Sequence, residues 1–284
     1  MLPPTGVAMI KALFLAVAAL GGAPVYAVAL PVGSTIEEVR IVAATKLPTN
    51  PDGHHIDEYC ADLSPHFDIK ARSPGGRLAA KLGWLVTSET KLGKYDAVNL
   101  VGALDAATSG TCGHRNGNLA IFDGDRLIAI AYKRSDPDPD EYPDSLGFAE
   151  QIDPRRIRLR WGLPAAPIAD VVLSDGIHVE HTPAVDRACG GTVFVPNIFE
   201  LDIRKARKKL LAYGWKPSRP SEPMNGGLDG QLRAQGVVEV EICSGTGYGF
   251  CLFNYKNRRG DSLGVRSAGD GPTVIDYQVG CRRG

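Results

Sequence analysis

The sequence has little of several features that mark large classes of protein. Its formal net charge is zero, and aromatic residues make up only 7% of the chain. A neutral balance gives no support for nucleic acid as a general partner. No internal repeat is visible. By contrast, the chain contains 33 glycines and 20 prolines, a composition that favours a loop-rich, strand-rich fold over a helix bundle.

The six cysteines of the chain include no Cys-x-x-Cys pair. This absence argues against a structural zinc site and against a thioredoxin-like redox site. All six cysteines lie at or after Cys60, and an even number of cysteines in an exported chain is typical of a disulfide framework. The sequence therefore predicts three disulfides.

The first 27 residues follow the order of a secretory signal. Lys11 is the only charged residue before Glu37, and an apolar run of about nine residues, 12–20, follows it. Val25-Tyr26-Ala27 then places small residues where a signal peptidase reads. The run is short of the roughly 20 apolar residues that span a bilayer. We therefore expect residues 1–27 to be removed, and a periplasmic or secreted mature chain without a membrane span.

Sequence alone does not fix which cysteines pair, but their positions favour one scheme. Cys243 and Cys251 flank seven residues, three of them glycine, between two strand-like runs. If these cysteines face each other across a hairpin, Ile242 faces Leu252 at the neighbouring position. The other expected bonds are Cys60–Cys112 and Cys189–Cys281.

Residues 35–190 are expected to form a β-rich domain. An Asp-Gly turn between two apolar runs predicts a hairpin of Asn118–Phe122 and Leu127–Tyr132. Arg156–Trp161 alternates apolar residues with three arginines, which is typical of a strand with one face buried and the other in water. Ser73–Gly76 (SPGG) is interpreted as a break between elements.

Residues 191–284 contain the clearest helix of the chain, Ile203–Tyr213. Asp202 is a suitable N-cap, because its side chain can accept from free backbone amides, and Gly214 is placed for a left-handed C-terminal cap. Four candidate strands finish the chain. The sequence therefore predicts an α+β fold, in which the N-terminal β-rich domain is followed by a helix plus antiparallel β-meander domain.

One stretch combines a short strand with this helix. Val195-Pro196-Asn197-Ile198 leads into the helix, and four further residues follow at regular spacing: Ala206, Leu210, Gly214 and Trp215. This pattern, over residues 195–215, resembles the opening of a PASTA domain, a module of bacterial penicillin-binding proteins and Ser/Thr kinases. Glu200 departs from the family, where glycine is usual. The resemblance implies binding to peptidoglycan fragments or to an envelope protein, without catalysis. The arrangement also resembles exported proteins of proteobacteria, which implies no function.

The helix carries five basic residues in six positions: Arg204, Lys205, Arg207, Lys208 and Lys209. A cationic helix face in water attracts anionic envelope polymers. The candidate ligand-binding residues are therefore Arg204, Lys205, Lys208, Lys209 and Trp215. The alternative is a helix face that is only solvated.

No segment carries a convincing motif for catalysis, a cofactor or a metal. Ser109–His114 places a hydroxyl near a histidine, but no strand–turn–helix context surrounds it. The metal-like clusters are His178–His181 and His54–Glu58, and neither has the zincin pattern. The expected function is non-catalytic binding of peptidoglycan or another cell-wall component. Two alternatives stay open: an inhibitor or immunity-type protein acting on an envelope enzyme, and a secreted hydrolase with scattered active residues.

Overall fold

The chain is mostly β-structure. A computed structural model describes residues 30–62, 69–107, 111–134, 145–162, 165–221, 226–245, 247–269 and 271–282. The expected signal segment, residues 1–27, lies outside the described residues. Strands account for 49% of the structure and helices for 13%. The predicted α+β class, with a helix plus meander module, is therefore wrong.

The class prediction failed because short segments without clear alternation form strands. Ala103–Ala107 (β6) and Thr111–Arg115 (β7) pair with each other. Val185–Ala188 (β14) and Val193–Pro196 (β15) pair in the same antiparallel way. Strand preference depends on the neighbours across a sheet more than on the residue itself. Segments such as β7, which includes a glycine and two basic side chains, therefore become strands in context.

Two five-stranded sheets make up most of the N-terminal half. Sheet 1 has the order β2-β9-β8-β5-β4, with β2 Val39–Ala43, β4 Leu85–Leu92, β5 Tyr95–Val101, β8 Asn118–Asp123 and β9 Arg126–Lys133. Sheet 2 has the order β1-β13-β12-β11-β10, with β1 Val32–Ser34, β10 Leu146–Asp153, β11 Arg156–Trp161, β12 Pro167–Leu173 and β13 Ile177–Glu180. The predicted hairpin at β8–β9 and the predicted strand at β11 are confirmed.

Sheets 1 and 2 pack face to face around one core. Alternate residues point inward, as the period of two along a strand requires. The core includes Ile41, Leu119, Ile121 and Ala131 of sheet 1 and Ile157, Leu159, Val171 and Val179 of sheet 2. The three arginines of β11 therefore point to the opposite face of sheet 2.

Helix α2, Pro74–Lys81, packs on the outer face of sheet 1, where it contacts β4, β5 and β8. Ser73 caps it by accepting from the Gly76 amide at 2.9 Å, and Pro74 lies in the first turn. Gly75 approaches the Phe122 ring so closely that a Cβ atom would lie 2.3 Å from it. The expected break at SPGG is therefore wrong, because the same residues provide a helix start.

A small third sheet, with the order β3-β6-β7, lies beside sheet 1. One of its two edge strands is β3, His55–Ile56, and helix α1, Glu58–Ala61, follows directly. Cys60 of α1 is buried and bonds Cys112 of β7. The bond lies in a small apolar cluster that includes Leu104.

The C-terminal part contains two sheets and two helices. Sheet 4 is β14-β15, and sheet 5 has the order β16-β18-β19-β20, with β17 also paired to β18. Their strands are β16 Lys216–Pro217, β17 Val240–Cys243, β18 Cys251–Lys256, β19 Ser262–Ala268 and β20 Thr273–Gly280. The helices are α3 Ile203–Ala212 and α4 Gly227–Ala234. A separate core cluster joins these elements. The domain boundary near residue 190 stays a prediction.

Helix α3 is the element that local sequence signals predicted best. The Asp202 side chain accepts from the Arg204 amide at 2.9 Å, and Gly214 has a φ of +83°. Ile203, Ala206 and Leu210 form its buried face. No helix in the described part of the chain is long and apolar enough to cross a bilayer.

All six cysteines are described, and they form the three disulfides expected from the sequence: Cys60–Cys112, Cys189–Cys281 and Cys243–Cys251. Cys243 lies opposite Cys251 in the β17–β18 register, and Ile242 lies opposite Leu252. The predicted hairpin register is therefore confirmed. The Cys189–Cys281 bond spans 92 positions, whereas the hairpin bond spans only 8.

This difference in loop length leads to a prediction about stability. Loop-closure entropy gives about 4–5 kcal/mol for the Cys189–Cys281 bond and about 2–3 kcal/mol for the Cys243–Cys251 bond. Replacing Cys189 and Cys281 by serine should therefore lower the free energy of unfolding by about 2 kcal/mol more than replacing Cys243 and Cys251. Urea titration followed by circular dichroism measures both losses. Equal losses, or a larger loss for the hairpin pair, would contradict the prediction.

Candidate functional site

Some basic residues of α3 contact other groups in the protein, and others have no carboxylate partner among the described residues. Arg204 pairs with Asp202 at 3.0 Å and donates to the Gln235 side chain. The Lys209 ammonium donates to the Asn197 carbonyl at 2.9 Å. Lys205 and Lys208 are exposed, and neither has a carboxylate partner among the described residues. Four basic residues were predicted to bind a ligand. Lys205 and Lys208 are the two that can do so without first breaking a contact to another described residue.

Arg207, the fifth basic residue of the helix, turns inward. Its guanidinium lies 2.9 Å from the Glu239 carboxylate, whose side chain is fully buried. The Tyr255 hydroxyl donates to the same carboxylate at 2.7 Å. Burial raises the pKa of Tyr255, and the Glu239 charge raises it further. Arg207 therefore joins α3 to the buried Glu239 beside sheet 5, although its side chain stays 30% exposed.

Trp215 lies in the core, although we expected it at a binding surface. Its side chain is 1% exposed, and its indole N–H donates to the Phe194 carbonyl at 3.0 Å. Trp215 packs with the buried face of α3. Trp215 therefore has almost no exposed surface with which to bind a ligand.

A network of charges covers the outer face of sheet 2. Arg158 of β11 is only 2% exposed. Its guanidinium donates to Asp170 of β12 at 2.9 and 3.1 Å and to Asp186 of β14 at 2.6 and 2.8 Å. The Tyr277 hydroxyl of β20 also donates to Asp186. The arginine face of β11 was expected in water, and that expectation is wrong for Arg158, because sheets 4 and 5 cover it.

A cleft of about 300 Å³ opens at the edge of this network. Its lining includes Glu150, Arg160, Asp186, Tyr277 and the Cys189–Cys281 bond. Arg160 pairs with Glu150 at 2.7 Å and with Asp276 of β20 at 2.8 Å. Most of the charge that faces the cleft is therefore already neutralised within the protein.

The electrostatics of the cleft favour one charge state for each of three buried groups. Burial would raise the pKa of Asp186, but the hydrogen bonds and charge of Arg158 outweigh burial and keep it lowered. Burial would lower the pKa of Arg158, yet the two aspartates keep it raised. Burial and the Asp186 charge raise the pKa of Tyr277. These shifts favour a charged Arg158–Asp186 pair and a neutral Tyr277 near neutral pH, which suits groups that hold the sheets together.

Sequence reasoning missed this network because no local motif marks it. Arg158 and Asp186 are 28 positions apart, and Asp186 and Tyr277 are 91 positions apart. The one available signal was the presence of three arginines on a single strand. If any of these arginines is buried, it needs carboxylates nearby to pair with its charge.

The histidine of the Ser109–His114 segment is a buried structural group. His114 is 2% exposed, and its ring lies edge-on to Phe148 with centroids 4.7 Å apart. Burial lowers the pKa of His114 to about 4. Cys112 is disulfide-bonded, while Ser109 and Gly110 lie outside the described residues. A neutral, enclosed imidazole is poorly placed to act as a surface base.

The two metal-like clusters do not form a metal site in the described ranges, where no group of three or more ligand side chains comes together. His178 lies 3.1 Å from Asp175, and His55 lies 3.9 Å from Asp105. Both are simple pairs at the surface of the protein.

Together, fold and site define a mostly β protein with three disulfides, a neutralised polar cleft and an exposed basic helix face. No protein-family model, no curated protein and no solved structure matches the chain. Function is therefore inferred from the residues themselves.

The pKa of His114 leads to a prediction about acid stability. An unfolded histidine has a pKa of about 6.5. Between this value and about 4, the unfolded chain binds a proton that the folded chain does not, so stability is lost as the pH falls through this window. The protein should lose about 3 kcal/mol more between about pH 7 and pH 4 than its His114→Gln variant. Urea unfolding at intermediate pH values measures the two curves, and parallel curves would refute this role.

Proposed function

We propose that the protein is an exported, non-catalytic binding protein whose α3 helix contacts an anionic polymer of the cell envelope. The observation that carries the proposal is the exposure of Lys205 and Lys208, which have no carboxylate partner among the described residues. Clustered exposed cations raise the local concentration of a polyanion. The polymer would lie across the outward face of the helix.

The construction of α3 supports this proposal. The helix contains no acidic residue, and its opposite face is fixed by Ile203, Ala206 and Leu210. Arg207 adds the buried ion pair to Glu239. A rigid helix presents its charges with less loss of conformational freedom on binding than a loop does. Lys205 and Lys208 lie three residues apart and therefore share one helix face.

Export is supported by the three disulfides, since such bonds persist in oxidising compartments. The order of β15, α3 and Gly214 also agrees with the stretch that resembles a PASTA domain. A relationship with that family remains part of the proposal. It would make peptidoglycan the first polymer to test.

The test is co-sedimentation of the mature protein with purified peptidoglycan sacculi. The Lys205→Gln/Lys208→Gln variant should bind several-fold less than the unchanged protein. Binding of the unchanged protein should also weaken as salt rises, because the Debye length is about 10 Å at 0.1 M and shrinks further. Thermal stability should change little, since exposed charges contribute about 0–1 kcal/mol. Lys209 is left intact because its bond to Asn197 holds the chain before α3.

The matched control is Lys46→Gln/Lys81→Gln, which removes the same charge from two exposed lysines elsewhere. It should bind like the unchanged protein. Equal loss in both variants would reduce the effect to net charge and contradict a site on α3. Failure of the unchanged protein to sediment with sacculi would overturn the choice of polymer.

A further inference from the structure

A groove opens on the outer face of sheet 1. It lies on the same face as helix α2 but at the other end of the sheet. Helix α2 packs on β4, β5 and β8, whereas the groove lies on β2 and β9. It has a volume of about 420 Å³, and its lining includes Ser34, Arg40, Val42, Tyr132 and Arg134. None of these residues belongs to α3 or to the cleft near Arg158, so the groove is a separate feature of the molecule.

Strand register brings the side chains of the groove together. Arg40 of β2 lies directly opposite Tyr132 of β9. Residues directly opposite in a sheet have Cβ atoms about 4.5–5.5 Å apart. Val42 and Arg134 each follow one of this pair by two positions and therefore share its face. The Arg134 amide donates to the Glu38 carbonyl at 2.9 Å, which continues the pairing past the end of β9.

The wall of the groove is also fixed. The Ser34 hydroxyl accepts from the Ile41 amide at 2.9 Å, which holds β1 against the outer edge of β2. Ile41 itself is buried in the sandwich core. The groove therefore exists before any ligand binds, and little ordering is required to fill it.

The two arginines of the groove have no ion-pair partner among the described residues. Neither guanidinium has an ion pair or a hydrogen bond to a side chain or carbonyl among the described residues, and both are exposed. The arginines of β11 behave differently, since Arg156, Arg158 and Arg160 are all paired with carboxylates. Glu38 lies opposite Arg134 and on the same face, but no ion pair joins it to either arginine in the described part of the chain. Two arginines and one carboxylate leave this face with excess positive charge and unused donors.

Exposed apolar surface lies next to this charge. Val42 is 45% exposed and Tyr132 is 36% exposed. An aromatic ring offers a flat face on which another ring can stack. The groove thus combines two guanidinium groups that can bind an anion with one aromatic surface on which a ring can stack.

We propose that this groove binds a small molecule in which an oxyanion, carboxylate or phosphate, is attached to a flat ring. The oxyanion pairs with Arg40 and Arg134, because a planar guanidinium donates two parallel hydrogen bonds to such a group. The ring lies on Tyr132 and Val42. The groove volume falls within the roughly 300–1,000 Å³ of small-molecule sites.

Competing carboxylates are close, since Glu38 lies opposite Arg134 and Asp136 and Asp138 follow Arg134 in the sequence. The experiment must therefore measure directly whether an added anion reaches the arginines. The mature protein is titrated with benzoate, with phenyl phosphate and with the neutral analogue benzamide, and protein NMR chemical shifts report binding. At least one anion should bind saturably, and benzamide should bind about tenfold more weakly or worse. The tighter of the two anions identifies the oxyanion.

The Arg40→Gln/Arg134→Gln variant should lose about tenfold or more in affinity for the preferred anion. Arg219→Gln/Arg258→Gln removes the same charge from two exposed arginines and should retain full affinity. The inference is overturned if neither anion binds saturably, if benzamide binds as tightly as the anions, or if the Arg40/Arg134 variant binds normally. The result is independent of sacculus binding, because it uses different residues and a different ligand.

Discussion

The rest of the structure depends on the ion pairs that the buried guanidinium of Arg158 forms with two aspartates. A cation that is only 2% exposed costs several kcal/mol to remove from water unless carboxylates surround it. Asp170 supplies one carboxylate from the neighbouring strand, and Asp186 supplies the second from sheet 4. Tyr277 joins β20 to the same Asp186 side chain. One charge thus determines where sheets 2, 4 and 5 meet.

The position of the basic helix follows from this junction. Strand β14, which carries Asp186, pairs with β15, and α3 begins shortly after β15. The Cys189–Cys281 bond lines the same cleft and connects the residues that follow β14 and β20. Because the inner face of α3 packs on sheet 5, Lys205 and Lys208 remain in water. Charge therefore has two uses here: buried groups are paired and fix the fold, while exposed unpaired groups are available to a ligand.

Local signals in the sequence were enough for some parts of this structure. Asp202 and Gly214 bounded helix α3, and the glycine-rich loop brought Cys243 to Cys251. Alternation also assigned Arg158 to the correct face of its strand. Whether that face meets water depends on contacts with residues far along the chain, and no local pattern encodes those contacts. The burial of Trp215 was missed for the same reason, as was the strand content that overturned the α+β class.

Hydrogen exchange in an Asp186→Asn variant tests the central claim most directly. If Arg158 joins the sheets through Asp186, peptides covering Arg156–Trp161 and Thr273–Gly280 should both lose protection in the variant, by about 3 kcal/mol. The control is Asp123→Asn, which breaks an exposed pair with Arg126 and should leave both peptides within about 1 kcal/mol of the unchanged protein. Loss of protection in the first peptide with unchanged protection in the second would contradict the account, because β20 would then be held independently of Arg158.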